Sequence, residues 1–390
     1  MKILIVTSKY YPDTFPINLI AERLNRSGNE VDVLTTVPFA NNEYIDAYNK
    51  DHSFENGVNV YRVKTSIRNN SRKSLVRYYL SLHRELKKWI RRCSKHYDLI
   101  YSYSISPVIS LAAGNLYKKK HHVPHVAHIL DIWPESVVDA GYIKSKSLYY
   151  KFLLAWSKKE YKGLDKLYIG SKAFKEYLID KFNIEENKIE YLVQPGLVYE
   201  EDNNENPYDA SKTNLVYCGN ISKLQLVDYI VPLVEALNNK DVVINILGTG
   251  SYLDELEKEI KSRNIKNVIY HGYFDYKQSK RYLYNADAII VSLKNVGFVG
   301  KTIPNKLISA LYYGKPIIGM IEGEGREILQ INDNIIVNES VIDFVNGINK
   351  FLNVNKEDRL KVGIKNRQLY DDQYSLDKFV EKLLSSLSRK

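Results

Sequence analysis

Short apolar runs rich in valine and isoleucine recur along this chain, and stretches of helical character separate them. The first series opens with KILIVT (2–7), a helix near 16–27 and NEVDVLTT (29–36). It continues through GVNVYRVK (57–64), DLIYSY (98–103), PHVAHIL (124–130) and KLYIGS (166–171). The second comprises NLVYCGN (214–220), VVINILG (242–248), VIYHGYF (268–274), DAIIVSL (287–293) and KPIIGMI (315–321), with helical stretches at 226–238, 252–263 and 277–285. Near-continuous apolar strands alternating with helices require parallel sheets covered on both faces. The polar stretch 199–214 separates the series as a linker. The expectation is an α/β protein with Rossmann-like domains over 1–195 and 196–373, facing across a cleft. An amphipathic helix follows within 374–390.

At 390 residues the chain is too long for one core. With 44% hydrophobic and 26% charged residues it reads as globular and soluble, and no apolar run reaches bilayer-spanning length. The opening MKILIVTS has no cleavage site, which argues against secretion. Cys93 and Cys218 lie far apart, which speaks against a disulfide framework and for a reducing cytoplasm. The net charge of +10 is uneven: residues 1–195 hold 31 Lys and Arg against 20 Asp and Glu. Such asymmetry implies a polyanionic neighbour, whether nucleic acid, an anionic membrane or a phosphorylated ligand.

In open parallel sheets ligands bind beyond the carboxyl ends of the strands. In the second series those positions carry small and cationic residues. YCGNISKLQ places Gly219 and Asn220 at a strand end, with Lys223 and Gln225 leading into the next helix. Gly248 and Gly250 follow the next strand, where they let the backbone approach a ligand. Gly272 and Tyr273 end the one after, where a base would lie against the backbone. KTIPNKLISALYYGKPII (301–318) then supplies a loop with Thr302, Ile303 and Pro304 and a helix N-terminus suited to phosphate, with Lys306 in its first turn. Taken singly, the Gly-x-Gly turn is a tight turn and each lysine is solvated; together they describe an anion cradle. His121, His122, His125 and His128 form no metal site, since 125 and 128 point to opposite faces of a strand; KKKHH (118–122) reads as a basic loop.

The order of KILIVTSKYYPD, AERLNRSGNEVDVLTTVP, ENGVNVYRV, DIWPES, GNISKLQ, LGTGSYLDEL, IPNKLISALYYGKPII and YSLDKF resembles the family-4 glycosyltransferases of GT-B fold. Within these it is similar to the bacterial capsule and exopolysaccharide branch that includes colanic-acid-type and L-fucosamine transferases. The resemblance implies transfer of a sugar, with retention, from a nucleoside-diphosphate donor (UDP-linked by expectation) to a polyprenyl-diphosphate-linked glycan. It implies no obligatory metal or other cofactor, a donor on the second domain, an acceptor on the first, and a last helix crossing back to the first. It also implies a cytoplasmic enzyme peripheral to the inner face of the plasma membrane. Where many members carry paired glutamates, this chain has Lys301 and Ser309. Ser309 offers one neutral hydroxyl for a ribose, while Lys306 and Lys223 remain as charge partners of the diphosphate.

Asp131 follows the PHVAHIL strand and either orients a sugar or acceptor hydroxyl or caps the turn before Pro134. Trp133 is either a stacking face or a core residue. From 62 to 97 there are twelve Lys and Arg and one acidic residue, Glu85. Leu75, Tyr79, Leu82, Leu86, Trp89 and Cys93 recur there at helical spacing. Arg77, Arg84, Lys88, Arg91 and Arg92 accompany them, as on a helix lying on anionic lipid or one with a solvated basic face. A GT-B epimerase and a non-catalytic transferase partner are the rival readings. No nucleic-acid module surrounds the basic helix, and SKYYPD after the first strand has no dinucleotide glycine.

Overall fold

The computed structural model describes residues 1–38, 48–67, 71–105, 107–198, 205–274 and 276–388, except the side chains of Arg72, Tyr276 and Lys277. The chain divides into two compact units, Met1–Val193 with Phe379–Lys390, and Gln194–Lys378. The division falls before the polar stretch read as the linker. Residues 199–204 of that stretch lie outside the described residues, and its remainder belongs to the second unit.

In the first unit, strands β1 (Lys2–Thr7), β2 (Glu30–Thr36), β3 (His52–Glu55), β4 (Val58–Val63), β5 (Leu99–Ser104), β6 (His125–Ile129), β7 (Lys166–Ile169) and β8 (Ile189–Tyr191) form one sheet. Its order is β3-β4-β2-β1-β5-β6-β7-β8. Every pairing is parallel except the β3–β4 hairpin at one edge. Strands β5 and β6 are buried along their whole length, as their unbroken apolar runs demand. Around the sheet run α1 (Pro16–Arg26), α2 (Arg72–Arg92), α3 (Ile109–His121), α4 (Glu135–Asp139), α5 (Leu148–Lys162) and α6 (Lys172–Phe182).

Two readings of local structure change. KKKHH is no loop: Lys118 to His121 form the last turn of α3, where cations face the negative end of the helix dipole, and His122 ends the helix at φ 55°. The buried stripe of α2 is Ser74, Tyr78, Leu82, Leu86 and Ile90, with Leu75, Tyr79, Trp89 and Cys93 half-buried beside it. Arg77, Arg84, Lys88, Arg91 and Arg92 are exposed, so the helix packs on its own unit and turns its basic face outward.

In the second unit β9 (Thr213–Cys218), β10 (Val242–Leu247), β11 (Val268–Gly272), β12 (Ala288–Ser292), β13 (Ile317–Met320) and β14 (Ile335–Ile336) form a parallel sheet of order β11-β10-β9-β12-β13-β14. Its helices are α7 (Ile230–Leu237), α8 (Leu253–Ser262), α9 (Tyr276–Asn285), α10 (Asn305–Tyr312), α11 (Gly323–Ile331), α12 (Val341–Asn353) and α13 (Lys356–Leu369). A π-turn at Tyr370–Tyr374 leads to α14 (Leu376–Ser388), most of which belongs to the first unit. There Phe379 stacks on His128 with ring centroids 5.6 Å apart, and Ser386 Oγ accepts from Lys166 Nζ at 2.8 Å.

Asp32 anchors the amino end of the first sheet. Its carboxylate, fully buried, accepts from Tyr97 Oη at 2.6 Å, Lys95 Nζ at 2.6 Å and Asn59 Nδ2 at 3.1 Å. Removing one partner of such a buried network strands the others. Asp32→Ala is therefore expected to cost about 3–5 kcal/mol, read as a lowered denaturation midpoint; a midpoint within about 0.5 kcal/mol of wild type would contradict the role.

Candidate functional site

The carboxyl ends of β9, β10 and β11 are stitched into one rim by backbone hydrogen bonds. Gly219 N–H donates to Leu247 O at 2.9 Å, Gly248 N–H to Gly272 O at 3.0 Å, and Ile221 N–H to Thr249 O at 2.9 Å. Glycine is required here because backbone meets backbone. A Cβ on Gly248 (φ 137°) would lie 1.9 Å from Gly219 O, and one on Gly250 would lie 2.2 Å from Ile221 O. On their Cβ side these two glycines admit the neighbouring turn. Gly219 itself faces more open space, with Tyr217 Oη at 3.7 Å and Lys306 Cδ at 3.9 Å from its would-be Cβ.

Lys306 stands in the first turn of α10, whose N-terminus at Pro304 has no side-chain cap. Its Nζ lies 4.7 Å from the centroid of the Tyr217 ring and donates to Tyr217 Oη at 3.3 Å. Tyr217 Oη in turn donates to the carbonyl of Asn220 at 2.6 Å, so one phenol ties the cation to the glycine turn. Burial pushes the Lys306 ammonium down to about 7. Among the described residues it has no carboxylate within salt-bridge distance, whereas in the same unit Lys212 pairs with Asp241 and Lys365 with Asp333. Burial also raises the Tyr217 phenol, which stays neutral. Tyr217 was not singled out from sequence: 89 residues separate it from Lys306, and no local pattern joins them.

The remaining expected residues divide clearly. Lys223 is exposed over the ring of Tyr252 at 5.3 Å, Asn220 is exposed, and Tyr273 is 68% exposed. These stand at the rim with Lys306. Gln225 contributes its carbonyl to Ser292 Oγ at 2.6 Å, which closes the turn. Thr302 Oγ1 donates to Val299 O at 2.7 Å, and Ile303 is buried, so both shape the loop before α10. Ser309, also buried, accepts from Leu197 N–H at 3.0 Å and donates to Asn305 Oδ1 at 3.4 Å; Asn305 Nδ2 reaches Pro195 O at 2.8 Å. The hydroxyl read as a ribose contact thus fastens the segment entering the unit. Lys301 is exposed, with Nζ 5.4 Å from the Phe298 ring.

In the first unit, Asp131 is half-buried past the carboxyl end of β6, and burial and the charge of Asp131 raise the phenols of Tyr103 and Tyr161. Trp133 is 8% exposed, which places its ring in the core rather than on an open stacking face. Glu135 accepts from Tyr150 Oη at 2.6 Å and from Tyr177 Oη, joining α4 to α5 and α6. His125 bonds Ser102 and Asn115, and His128 bonds Tyr101; no group of three or more metal-ligating side chains is assembled among the described residues.

Known proteins carry the same plan. Residues 17–193 match the model of Glycosyltransferase Family 4, and residues 198–369 that of Glycosyl transferases group 1. Between them, residues 17–193 and 198–369 thus carry two glycosyltransferase domains, on two Rossmann-like parallel-sheet units of GT-B fold. It is 23% identical over 210 residues to the probable glycosyltransferase WbjE of Pseudomonas aeruginosa; the match spans 52% of each chain, so this chain spans about half the length of that relative. Solved structures of similar fold include Anabaena HepE in complex with UDP, at TM-score 0.72, 13% identity and 100% coverage of both chains. Sucrose-phosphate synthase from Thermosynechococcus elongatus follows at TM-score 0.75, 12% identity, and 99% and 98% coverage.

If the glycine turns interlock as described, Gly248→Ala will lower the stability of the second unit by about 3 kcal/mol. Thermal unfolding should show that loss confined to one transition; an unshifted profile would refute the interlock.

Proposed function

We propose that this chain is a retaining glycosyltransferase of capsule or exopolysaccharide synthesis. It takes a sugar from a UDP-linked donor at the rim of the second unit and delivers it to a polyprenyl-diphosphate-linked glycan bound by the first. The observation that carries this reading is Lys306, a desolvated ammonium without a carboxylate, at an uncapped helix N-terminus beside a glycine turn. A diphosphate supplies the missing charge, and α10 adds free N–H groups. The complexes of Anabaena HepE with UDP and with UDP-glucose support the choice of base.

During transfer the bond from the anomeric carbon to the diphosphate oxygen breaks, and negative charge grows on the departing phosphate. Lys306, with Lys223 at the rim, stabilises that charge where it develops. The acceptor hydroxyl bonds the anomeric carbon and gives its proton to the departing diphosphate oxygen, and Asp131 orients that hydroxyl. The exposed basic face of α2 holds the enzyme at the anionic inner face of the plasma membrane. Among the described residues no helix is long and apolar enough to cross a membrane.

Calorimetric titration with UDP tests the donor site. Lys306→Met should weaken binding about tenfold to a hundredfold, the worth of one charge-assisted hydrogen bond; unchanged affinity would remove Lys306 from the site. The pH dependence follows in sign. Free Lys306 has its pKa lowered to about 7, and a bound phosphate raises it again. Affinity is therefore full below that value and falls by up to about tenfold per unit as pH rises above it, and the Met variant should show no such fall. Separately, Arg84→Gln with Arg91→Gln should weaken binding to anionic vesicles by about tenfold at low salt; equal binding would argue against the basic face as the contact.

A further inference from the structure

We propose that the first unit carries an apolar edge that inserts into the bilayer, formed by the first turns of α5 with the outer face of α2, beside the Asp131–Glu135 loop. The proposal rests on the membrane reading above but on different atoms. Leu148, Tyr149 and Phe152 are 82%, 52% and 65% exposed within the first five residues of α5. On α2, Val76 and Leu80 are 47% and 66% exposed and one turn apart. The two stripes converge where the rings of His83 and Trp156 meet edge to face at 5.4 Å. Residues 76, 80 and 83 share one helix face, as do 148, 152 and 156. Large apolar side chains grouped in this way mark an interaction surface rather than chance exposure.

Charge selects the occupant. Between Ala140 and Lys159 there is no acidic residue and there are five lysines: Lys144, Lys146, Lys151, Lys158 and Lys159. The α2 side adds Lys73, Arg77 and Arg84, and its single carboxylate, Glu85, pairs with Arg84 and Lys88 at 2.9 and 3.5 Å. An apolar centre within a cationic rim is what the acyl and headgroup layers of an anionic leaflet receive. The lysine stems lie along the boundary with their ammonium groups at the phosphates. A second copy of the chain would bring a like-charged rim against this one.

Topology gives the patch its use. A helix that feeds a parallel strand ends at that strand's amino edge, so α2 before β5 and α5 before β7 begin at the carboxyl edge of the sheet. The hydrogen bond from Tyr150 Oη to Glu135 fixes α5 directly to the helix after Asp131. Insertion at this edge brings the Asp131 loop to the membrane surface, where a polyprenyl-anchored glycan need not leave the bilayer to reach it.

The experiment uses the full chain with vesicles of mixed neutral and anionic phospholipid, with and without about 1 M salt, where the Debye length falls to about 3 Å. Wild type should keep a salt-resistant bound fraction, and brominated lipid should quench emission that Trp156→Phe removes. Leu148→Ser with Phe152→Ser should lower partition about tenfold or more at high salt, with an unchanged thermal midpoint because both side chains are exposed. Wild-type binding by that variant, or a wild-type dimer that it converts to monomer without changing vesicle binding, would overturn the proposal. UDP titration of the same samples separates the readings: a variant that binds UDP normally yet loses vesicles fails only at the membrane, whereas wild type that binds vesicles and ignores UDP sinks the donor site alone.

Discussion

Lys306 is half-buried without acquiring an ion-paired carboxylate among the described residues, and the second unit's rim is arranged around that imbalance. Burying an ammonium costs several kcal/mol. The ring of Tyr217 at 4.7 Å and its hydroxyl at 3.3 Å return part of this, since a cation–π contact contributes about 0.5–2 kcal/mol. The drop from an ordinary lysine value to about 7 expresses a remaining cost of holding the charge there. The sign is definite. With its folded pKa below its ordinary one, Lys306 subtracts from stability most fully below pH 7, and that loss disappears as pH rises through the ordinary lysine range. The unliganded fold tolerates this because the glycine turns beside it are locked by backbone contacts that do not depend on charge.

The substitutions at 301 and 309 fit the same arrangement. A carboxylate at 309 would sit in a buried position whose hydroxyl now accepts from Leu197 N–H and contacts Asn305. Serine there spends its polarity on the chain entering the unit, through Pro195 to Leu197. With neither 301 nor 309 acidic, the rim near α10 holds cations and amides, a composition matched to phosphate more than to sugar hydroxyls.

Much of this was legible in the sequence, and the misses share a cause. The long apolar strands appear at their expected places because burial on both faces leaves no other pattern. β3, β8 and β14 were passed over because they are short edge elements of two to four residues with weak patterning. KKKHH looked like a loop because α3 ends on a left-handed histidine rather than a glycine. The placement of Lys306 was legible from helix-start chemistry, but its partner was not. Tyr217 is one of many strand tyrosines, and only the fold brings it beneath the lysine. Gly248 and Gly250 were legible as places of close backbone approach, but sequence shows only that a Cβ is missing, not that the neighbouring turn occupies its place.

The charge excess of the first half also acquires a physical location. In the proposed membrane-bound state, long-range attraction by exposed arginines and lysines on α2 draws the chain toward anionic lipid, but salt screens it within about 8 Å at physiological ionic strength. Apolar contact is short-ranged and indifferent to salt. A surface that carries both is drawn in by the first and retained by the second. The bonds from Tyr150 and Tyr177 to Glu135 bind the apolar edge to the loop after β6, so in that proposed state retention at the membrane and presentation of Asp131 depend on the same packed elements. Under the proposed function, an acceptor whose lipid stays in the leaflet meets an Asp131 loop held at that leaflet, and reach along the surface replaces diffusion through solution as the limit on encounter.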